Sequence, residues 1–263
     1  MSSVTSDDGT TIAFDRSGEG PPLIFVSGAL ADRSSGAPLA ALLAPRFTVF
    51  CFDRRGRGDS GNTLPYAVER EVEDIAAVVE EARGSAYVVG GSSGAVLALE
   101  AASAGIAITK LALYEPPFMV DASRELPPRD YVEHLYELIE GGRRGDAVAF
   151  FLTMAVGVPA DAVAGMRNAP SWPAMEAMAH TIPYDGTIMG DTMSGSPEPL
   201  ERWASVTVPT LVMDGGASPA WARNAVEALA RTLPDARRRT LDGQTHAVDP
   251  EVLAPALEEF FTG

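Results

Sequence analysis

Lysine and cysteine are almost missing from this chain of 263 residues, whose single cysteine is Cys51. One cysteine cannot form a disulfide within the chain, and its position in the apolar run 47–52 predicts a buried thiol. Lys110 is the only lysine among 20 basic residues, against 36 acidic ones, so the formal net charge is −16. Because such a chain repels nucleic acids and anionic membranes, we expect neither as a partner.

Long apolar runs and histidines are also few. No stretch of about 18 apolar residues occurs, so no membrane span is expected. Met1–Thr11 lacks a basic and then apolar leader, which predicts a cytoplasmic protein. The only histidines are His134, His180 and His246, and they are scattered without the spacing of metal ligands. We therefore predict neither a metal nor a cofactor.

Short apolar runs alternate with helical patterns along most of the chain. The predicted strands are Thr10–Asp15, Pro22–Ser27, Phe47–Asp53, Ala86–Gly90, Ile108–Tyr114 and Thr210–Asp214. The predicted helices that accompany them are Tyr66–Arg83, Ser92–Ala104, Pro219–Leu233 and Pro250–Phe261. This alternation predicts an α/β fold, a mostly parallel twisted sheet with helices on both faces.

Residues 116–200 break the alternation, because they contain helical patterns and no strand. The predicted helices there are Arg129–Glu140, Asp146–Val156, Ala160–Asn168 and Trp172–Thr181. An all-helical insert between two parallel strands would cover the carboxyl ends of the strands, where such sheets bind ligands. We therefore expect a core formed by residues 1–115 and 201–263, with residues 116–200 as a helical cap over the active site.

The stretch Gly90–Gly94 has the pattern Gly-x-Ser-x-Gly between a predicted strand and a predicted helix. This setting is typical of a sharp, strained turn that exposes a nucleophilic serine between very small neighbours. A structural turn with an idle serine is the alternative. We predict Ser92 as the nucleophile and the backbone N–H of Ser93 as a donor to the oxyanion. Gly28 or Ala29, after an earlier strand, would supply the second donor.

A serine nucleophile needs a base and a carboxylate that orients the base. His246 precedes the final helix and fits the chain order serine, acid, histidine. His134 and His180 lie in predicted cap helices, where His180 could contact substrate. Two carboxylates, Glu115 and Asp214, each close a predicted strand. We favour Glu115, because its strand follows the nucleophile strand and its extra methylene helps it to reach His246, while Asp214 remains the alternative.

Nearly the whole chain resembles the α/β-hydrolase superfamily of serine esterases and lactonases. The resemblance rests on Gly90–Gly94, the turn Asp53–Ser60, the strand Pro209–Asp214 and His246. Most members of that superfamily have their acid near the position of Ser218. In this chain a serine stands there, and it cannot carry the negative charge.

A closer resemblance is to the zearalenone hydrolases, which open a macrocyclic lactone. Three stretches carry it: the elbow Ser92–Ala95, the segment Glu115–Pro117 after the next strand, and Asn168–Trp172 in the predicted cap. The resemblance implies that Glu115 is the acid of the catalytic triad. It also implies that Trp172 contacts the substrate.

Methionine is concentrated in residues 116–200, which contain seven of the nine methionines. Because methionine lines adaptable apolar pockets, we expect a hydrophobic substrate, with contacts from Met154, Met178 and Phe118. Ordinary packing between helices is the alternative explanation.

We predict a cofactor-free serine hydrolase that cleaves a carboxylic ester or lactone through an acyl-enzyme. A perhydrolase of the haloperoxidase type and a carbon–carbon bond hydrolase are alternatives, because both use the same triad. A non-catalytic protein that binds a small molecule is an alternative of another class. The expected partner is a small hydrophobic ester or lactone, and a homodimer is left open.

Overall fold

The computed structural model describes residues 2–263, which form one eight-stranded sheet in the order β1-β2-β4-β3-β5-β6-β7-β8. β1 and β2 are antiparallel to their neighbours, and the other strands are parallel. The strands are β1 (Ser2–Thr5), β2 (Thr11–Ser17), β3 (Pro22–Val26), β4 (Thr48–Phe52), β5 (Ala86–Gly91), β6 (Ile108–Tyr114), β7 (Thr210–Gly215) and β8 (Ala236–Leu241).

Helices connect the strands and fill the segment between β6 and β7. Those that accompany the sheet are α1 (Ala37–Leu43), α2 (Val68–Glu81), α3 (Ser93–Ser103), α9 (Ala220–Thr232) and α10 (Pro250–Thr262). Those between β6 and β7 are α4 (Tyr131–Glu140), α5 (Arg144–Phe151), α6 (Ala160–Met166), α7 (Trp172–Met178) and α8 (Ile182–Met189). No helix within residues 2–263 is long and apolar enough to span a membrane.

The sheet separates two apolar layers. Successive residues of a strand point to opposite faces, so the adjacent Val88 and Val89 of β5 enter different clusters. Helices α2, α3 and α9 cover the face of Val88, and α1 and α10 cover the face of Val89. The predicted fold class, a mostly parallel sheet with helices on both faces, is confirmed.

The helices between β6 and β7 have an apolar cluster of their own, which includes Leu135, Val148 and Trp172. Helix α8 also contributes Ile188 and Met189 to the core on the Val88 face of the sheet. This segment is therefore joined to the sheet by its last α-helix. The division into a core and a cap of residues 116–200 stays a proposal.

The parallel strands bring several loops to one edge of the sheet. β3, β5, β6 and β7 run side by side in the same direction, so their carboxyl ends meet. The residues that follow these ends include Ser27, Ser92 and Glu115. The loops that carry the predicted site residues Ser92 and Glu115 therefore lie at the same edge of the sheet.

Candidate active site

Ser92 stands at the turn between β5 and α3 with φ 56° and ψ −130°, a conformation that non-glycine residues rarely adopt. The turn is tight on both sides. A Cβ on Gly94 would lie 2.3 Å from the carbonyl oxygen of Val26, and one on Gly90 would lie 2.5 Å from the carbonyl oxygen of Gly94. Only glycine fits at these two positions, so the motif Gly-x-Ser-x-Gly has a steric basis here.

Glu115 directly follows β6 and also has a positive φ, 44°. Its side chain is buried, and both carboxylate oxygens accept hydrogen bonds. Oε2 accepts from Nδ1 of His246 at 2.8 Å, and Oε1 accepts from the backbone N–H of Gly215 at 2.8 Å. The structure therefore brings the favoured acid and the predicted base into contact.

The surroundings of Glu115 keep its carboxylate ionised. Burial by itself raises the pKa of this group. The hydrogen bond with His246, the nearby hydroxyl of Ser218 and the N–H of Gly215 act in the opposite direction, and the pKa lies below its usual value. Ser218 stands at the position where the superfamily resemblance leads one to expect the acid. In this chain its hydroxyl helps to lower the pKa of Glu115, the carboxylate that follows β6.

The loop that carries His246 is fixed by hydrogen bonds to its backbone. The phenol of Tyr114 donates to the carbonyl oxygen of Thr245 at 2.6 Å, and the N–H of Ala217 donates to that of Gln244 at 2.9 Å. The imidazole is 49% exposed. Its orientation is thus set by Glu115 and by the loop, while one side of the ring remains open to solvent or substrate.

A cavity of about 160 Å³ contains Ser92, Glu115 and His246 in its lining. Its wall is mostly apolar and includes the side chains of Tyr131, Phe151, Val156, Met189, Met193 and Trp221. Within residues 2–263, no hydrogen bond joins Ser92 Oγ to the ring of His246. Such contacts often tighten only when substrate is bound.

Ala29 and Ser93, two of the predicted oxyanion donors, line the same cavity as Ser92. Arg57 Nη1 donates to the carbonyl oxygen of Gly28 at 2.5 Å. Because the C=O and N–H of a trans peptide point in opposite directions, the N–H of Ala29 is turned away from Arg57, and Ala29 lines the cavity. Ser93 begins α3, where N–H groups have no partner within the helix. Of the predicted donors, Ala29 and Ser93 fit this geometry.

Gly28 also has a steric part in the site, while its predicted role as an oxyanion donor stays a prediction. A Cβ on this residue would lie 2.9 Å from Cβ of Ser92. Glycine at this position therefore allows the close approach of the loop to Ser92.

Asp214, the alternative acid, faces β8. Its two carboxylate oxygens accept hydrogen bonds from Nε and Nη2 of Arg238, each at 3.3 Å, and one also accepts from Thr240 at 3.0 Å. The side chain is fully buried in this arrangement. The structure thus pairs Asp214 with β8 and does not bring it to His246.

The predicted substrate contacts lie elsewhere. The lining of the active-site cavity contains none of Trp172, Met154, Met178, Phe118 and His180. Trp172 is buried among the helices, with its indole N–H donated to Glu176, and Phe118 stacks on Trp203 in the sheet core. Met154 lines an outer groove that shares Trp221 with the cavity. Residue type alone could not separate cavity walls from packing between helices.

Asp185, on α8, lines the cavity and was not among the predicted site residues. It is a buried carboxylate that accepts hydrogen bonds from Arg54, Arg57 and Ser93. The arginine-rich turn that follows β4 was the available signal in the sequence, because buried arginines need acidic partners. Within residues 2–263, no group of three or more histidine, cysteine, aspartate or glutamate side chains could hold a metal ion.

The sequence matches the α/β hydrolase family over residues 23–256, so the chain belongs to this family. An α/β hydrolase from Sphaerobacter thermophilus DSM 20745 is 58% identical, with a TM-score of 0.92 and coverage of 99% of this chain and 100% of that one. The predicted superfamily is thereby confirmed.

Two other solved structures share the fold at lower identity. A thermophilic esterase from Thermogutta terrifontis is 22% identical, with a TM-score of 0.69 and coverage of 99% of this chain and 97% of that one. An enol-lactonase from Burkholderia xenovorans LB400 is 19% identical, with a TM-score of 0.71 and full coverage, 100%, of both chains.

Proposed function

We propose that this protein is a cofactor-free serine hydrolase that cleaves a carboxylic ester or lactone, with Ser92 as nucleophile, His246 as base and Glu115 as acid. The observation that carries the proposal is the 2.8 Å contact between Glu115 Oε2 and His246 Nδ1 in a cavity that Ser92 also lines. Because Nδ1–H is donated to an ionised carboxylate, Nε2 is the nitrogen free to take a proton.

In the first half-reaction, Ser92 Oγ attacks the substrate carbonyl while His246 Nε2 takes the hydroxyl proton. Glu115 stabilises the resulting imidazolium, and the N–H groups of Ala29 and Ser93 bind the oxyanion. The carbon–oxygen bond to the leaving group then breaks, and His246 returns the proton to the leaving oxygen. An acyl-enzyme on Ser92 remains; with a lactone, the released hydroxyl stays attached to the acyl group.

In the second half-reaction, a water molecule takes the place of the alcohol. His246 removes a proton from this water, whose oxygen attacks the acyl carbon. The second tetrahedral intermediate breaks down to the carboxylic acid and free Ser92, and the serine regains the proton from His246. No oxidant, reductant or cofactor is required in either half.

The size of the cavity supports a substrate with a small apolar acyl or ring portion. Its volume of about 160 Å³ is close to the roughly 150 Å³ of an apolar protein cavity that binds benzene. A macrocyclic lactone, as in the zearalenone hydrolases, would extend beyond this space into the outer groove beside Met154 and Trp221. A simple ester or small lactone therefore fits the enclosed space better.

The proposal is tested with a fluorophosphonate probe and intact mass measurement. Wild type should gain one adduct, Ser92→Ala should gain none, and Ser103→Ala, at the exposed end of α3, should behave as wild type. p-Nitrophenyl acetate, butyrate and octanoate and a small lactone would then define the substrate. An unlabelled but folded wild type would overturn the proposal and favour a binding protein.

A further inference from the structure

A cluster of buried charged and polar side chains adjoins the active-site cavity, and Ser93 and Asp185 also line that cavity. Its members are at most 3% exposed: Arg54, Arg57, Glu71, Ser93 and Asp185. Arg54 and Arg57 belong to the turn after β4, whereas Asp185 belongs to α8, far along the chain. The proposed mechanism gives no part to these charges, although burying them is costly unless every one is paired.

Asp185 is the hub of this cluster. Its Oδ1 accepts hydrogen bonds from Arg54 Nη1 and from the hydroxyl of Ser93, each at 2.7 Å. Its Oδ2 accepts one from Arg57 Nη2, also at 2.7 Å. Such short bonds to an ionised acceptor are strong and directional. The carboxylate therefore fixes the residue whose backbone N–H is the first proposed oxyanion donor.

Arg57 extends the same connection to the second donor. While Nη2 binds Asp185, Nη1 donates to the carbonyl oxygen of Gly28 at 2.5 Å. The peptide that carries this carbonyl also carries the N–H of Ala29. Nε of Arg57 has no partner within residues 2–263, although it is buried. An unpaired buried N–H is unfavourable. The guanidinium is therefore placed so that both Nη atoms form their hydrogen bonds, although Nε–H is left without a partner.

We propose that Asp185 is a positioning residue for the oxyanion hole, acting through the hydroxyl of Ser93 on one donor and through Arg57 on the peptide of Ala29. This inference rests on the proposed hydrolase function. Asp185 binds no oxyanion itself, since its charge is negative. Instead it holds two donors that come from different loops in the geometry that the tetrahedral intermediate needs.

This arrangement makes α8 part of the catalytic apparatus. Preorganised donors stabilise a developing charge without reorganisation during the reaction, which is the main source of their effect. If Asp185 holds them, its loss should weaken binding of the transition state and leave binding of the substrate nearly unchanged. A purely structural carboxylate would lower stability without that selectivity.

The chain offers a matched control in Asp74. This carboxylate is also buried and also pairs with an arginine of the same turn, since Arg55 donates to its two oxygens at 2.8 and 2.7 Å. Within the described residues, neither side chain forms a hydrogen bond with the loop of Gly28 or with the start of α3. Asp74→Asn therefore removes a buried carboxylate of α2 that pairs with the same turn, and it leaves the hydrogen bonds around the proposed oxyanion donors intact.

The experiment compares Asp185→Asn with Asp74→Asn in the full-length protein. It measures kcat and KM for p-nitrophenyl butyrate, the inhibition constant of a trifluoromethyl ketone that forms a tetrahedral adduct, and the melting temperature. For Asp185→Asn we expect kcat and the affinity for the ketone to fall together by about 10- to 100-fold, with KM within about twofold. Asp74→Asn should lower the melting temperature and leave the other three quantities unchanged.

Ser93→Ala provides a second route if Asp185→Asn does not fold, because it removes one hydrogen bond and no charge. It should lower kcat and ketone affinity in parallel by about 3- to 10-fold. Equal kinetic effects of Asp185→Asn and Asp74→Asn, or an unchanged Ser93→Ala enzyme, would overturn the inference. A wild type that fails to react with the fluorophosphonate probe would instead overturn the proposed function, so the two failures are distinguishable.

Discussion

Glu115 and Asp214 illustrate at the scale of the residue how similar positions acquire different environments. Both are buried carboxylates at the carboxyl ends of neighbouring strands. Glu115 turns toward the loop of His246, and Asp214 toward Arg238. The sequence could nominate both, because each closes an apolar run. It could not separate them by spacing alone, because the direction of a side chain depends on the backbone angles of the turn.

Glu115→Gln should abolish most of the activity. An amide has nearly the shape of the carboxylate but cannot stabilise the imidazolium, so kcat should fall by about 10⁴-fold, as for the equivalent change in a serine protease. Asp214→Asn is the matched control, and its kcat should stay within about threefold of wild type although the ion pair with Arg238 is weakened. Steady-state kinetics decide the matter, and a Glu115→Gln enzyme with near-normal turnover would refute the assignment.

At the scale of the secondary-structure element, local sequence patterns explain which strands and helices could be predicted. Strand β6 was predicted with its observed ends, Ile108 and Tyr114, because it is short, rich in apolar residues and followed by the acidic Glu115. Strand β8 was not predicted, because Ala236–Leu241 contains three arginines and four exposed positions at the edge of the sheet. Helix α8 was not predicted either, since Pro183 and Gly186 within it are typical of loops. Asp185 lies in that helix, and this is why sequence analysis overlooked it.

The contact between β3 and α3 gives a prediction about the elbow. Gly94→Ala would bring Cβ within 2.3 Å of a backbone oxygen of β3, so α3 must move away from the strand. We expect the free energy of unfolding to fall by about 1–3 kcal/mol and the rate of fluorophosphonate labelling to fall with it. Gly91→Ala is the control, because a Cβ there meets nothing within 4 Å. Urea denaturation measures the change, and equal stability of the two variants would contradict this account.

Helix α9 contributes Ala222 to the wall of the cavity, which leads to a prediction about substrate size. Ala222→Leu would fill part of a space of about 160 Å³, so kcat/KM for p-nitrophenyl octanoate should fall by at least about tenfold relative to p-nitrophenyl acetate. Ala220→Leu, at an exposed position of the same helix, should leave that ratio unchanged. A ratio that does not change in Ala222→Leu would mean that the acyl group binds elsewhere.

At the scale of the whole molecule, buried carboxylates connect the active site to stability in acid. Burial by itself raises the pKa of Asp185, but the charges of Arg57 and Arg54 more than offset this effect, so the pKa lies below its ordinary value. The pKa of Glu115 likewise lies below its ordinary value. A carboxyl group whose pKa is lower in the folded state stabilises the fold above its unfolded pKa, and this contribution is lost as the pH falls through the folded value.

We therefore expect the stability advantage of wild type over Asp185→Asn to be full at about pH 7 and to shrink below about pH 4. The difference in stability between wild type and Asp185→Asn excludes the general effect of acid, which acts on both proteins because the chain has a net charge of −16. Asp7→Asn, which changes an exposed carboxylate, should follow wild type at every pH. Urea denaturation across this range provides the measurement, and an advantage that grows in acid would contradict the ion-pair explanation.

The hydrogen bond between Glu115 and His246 joins residues that are 131 positions apart, and within residues 2–263 the histidine is followed by a single helix, α10. Chains are synthesised and fold from the amino end, so the loop of Ser92 can form long before its partner has left the ribosome. A nascent or prematurely ended chain therefore carries the serine without the imidazole opposite it. The order of residues along the polypeptide therefore delays the contact between Glu115 and His246 until long after Ser92 has been synthesised.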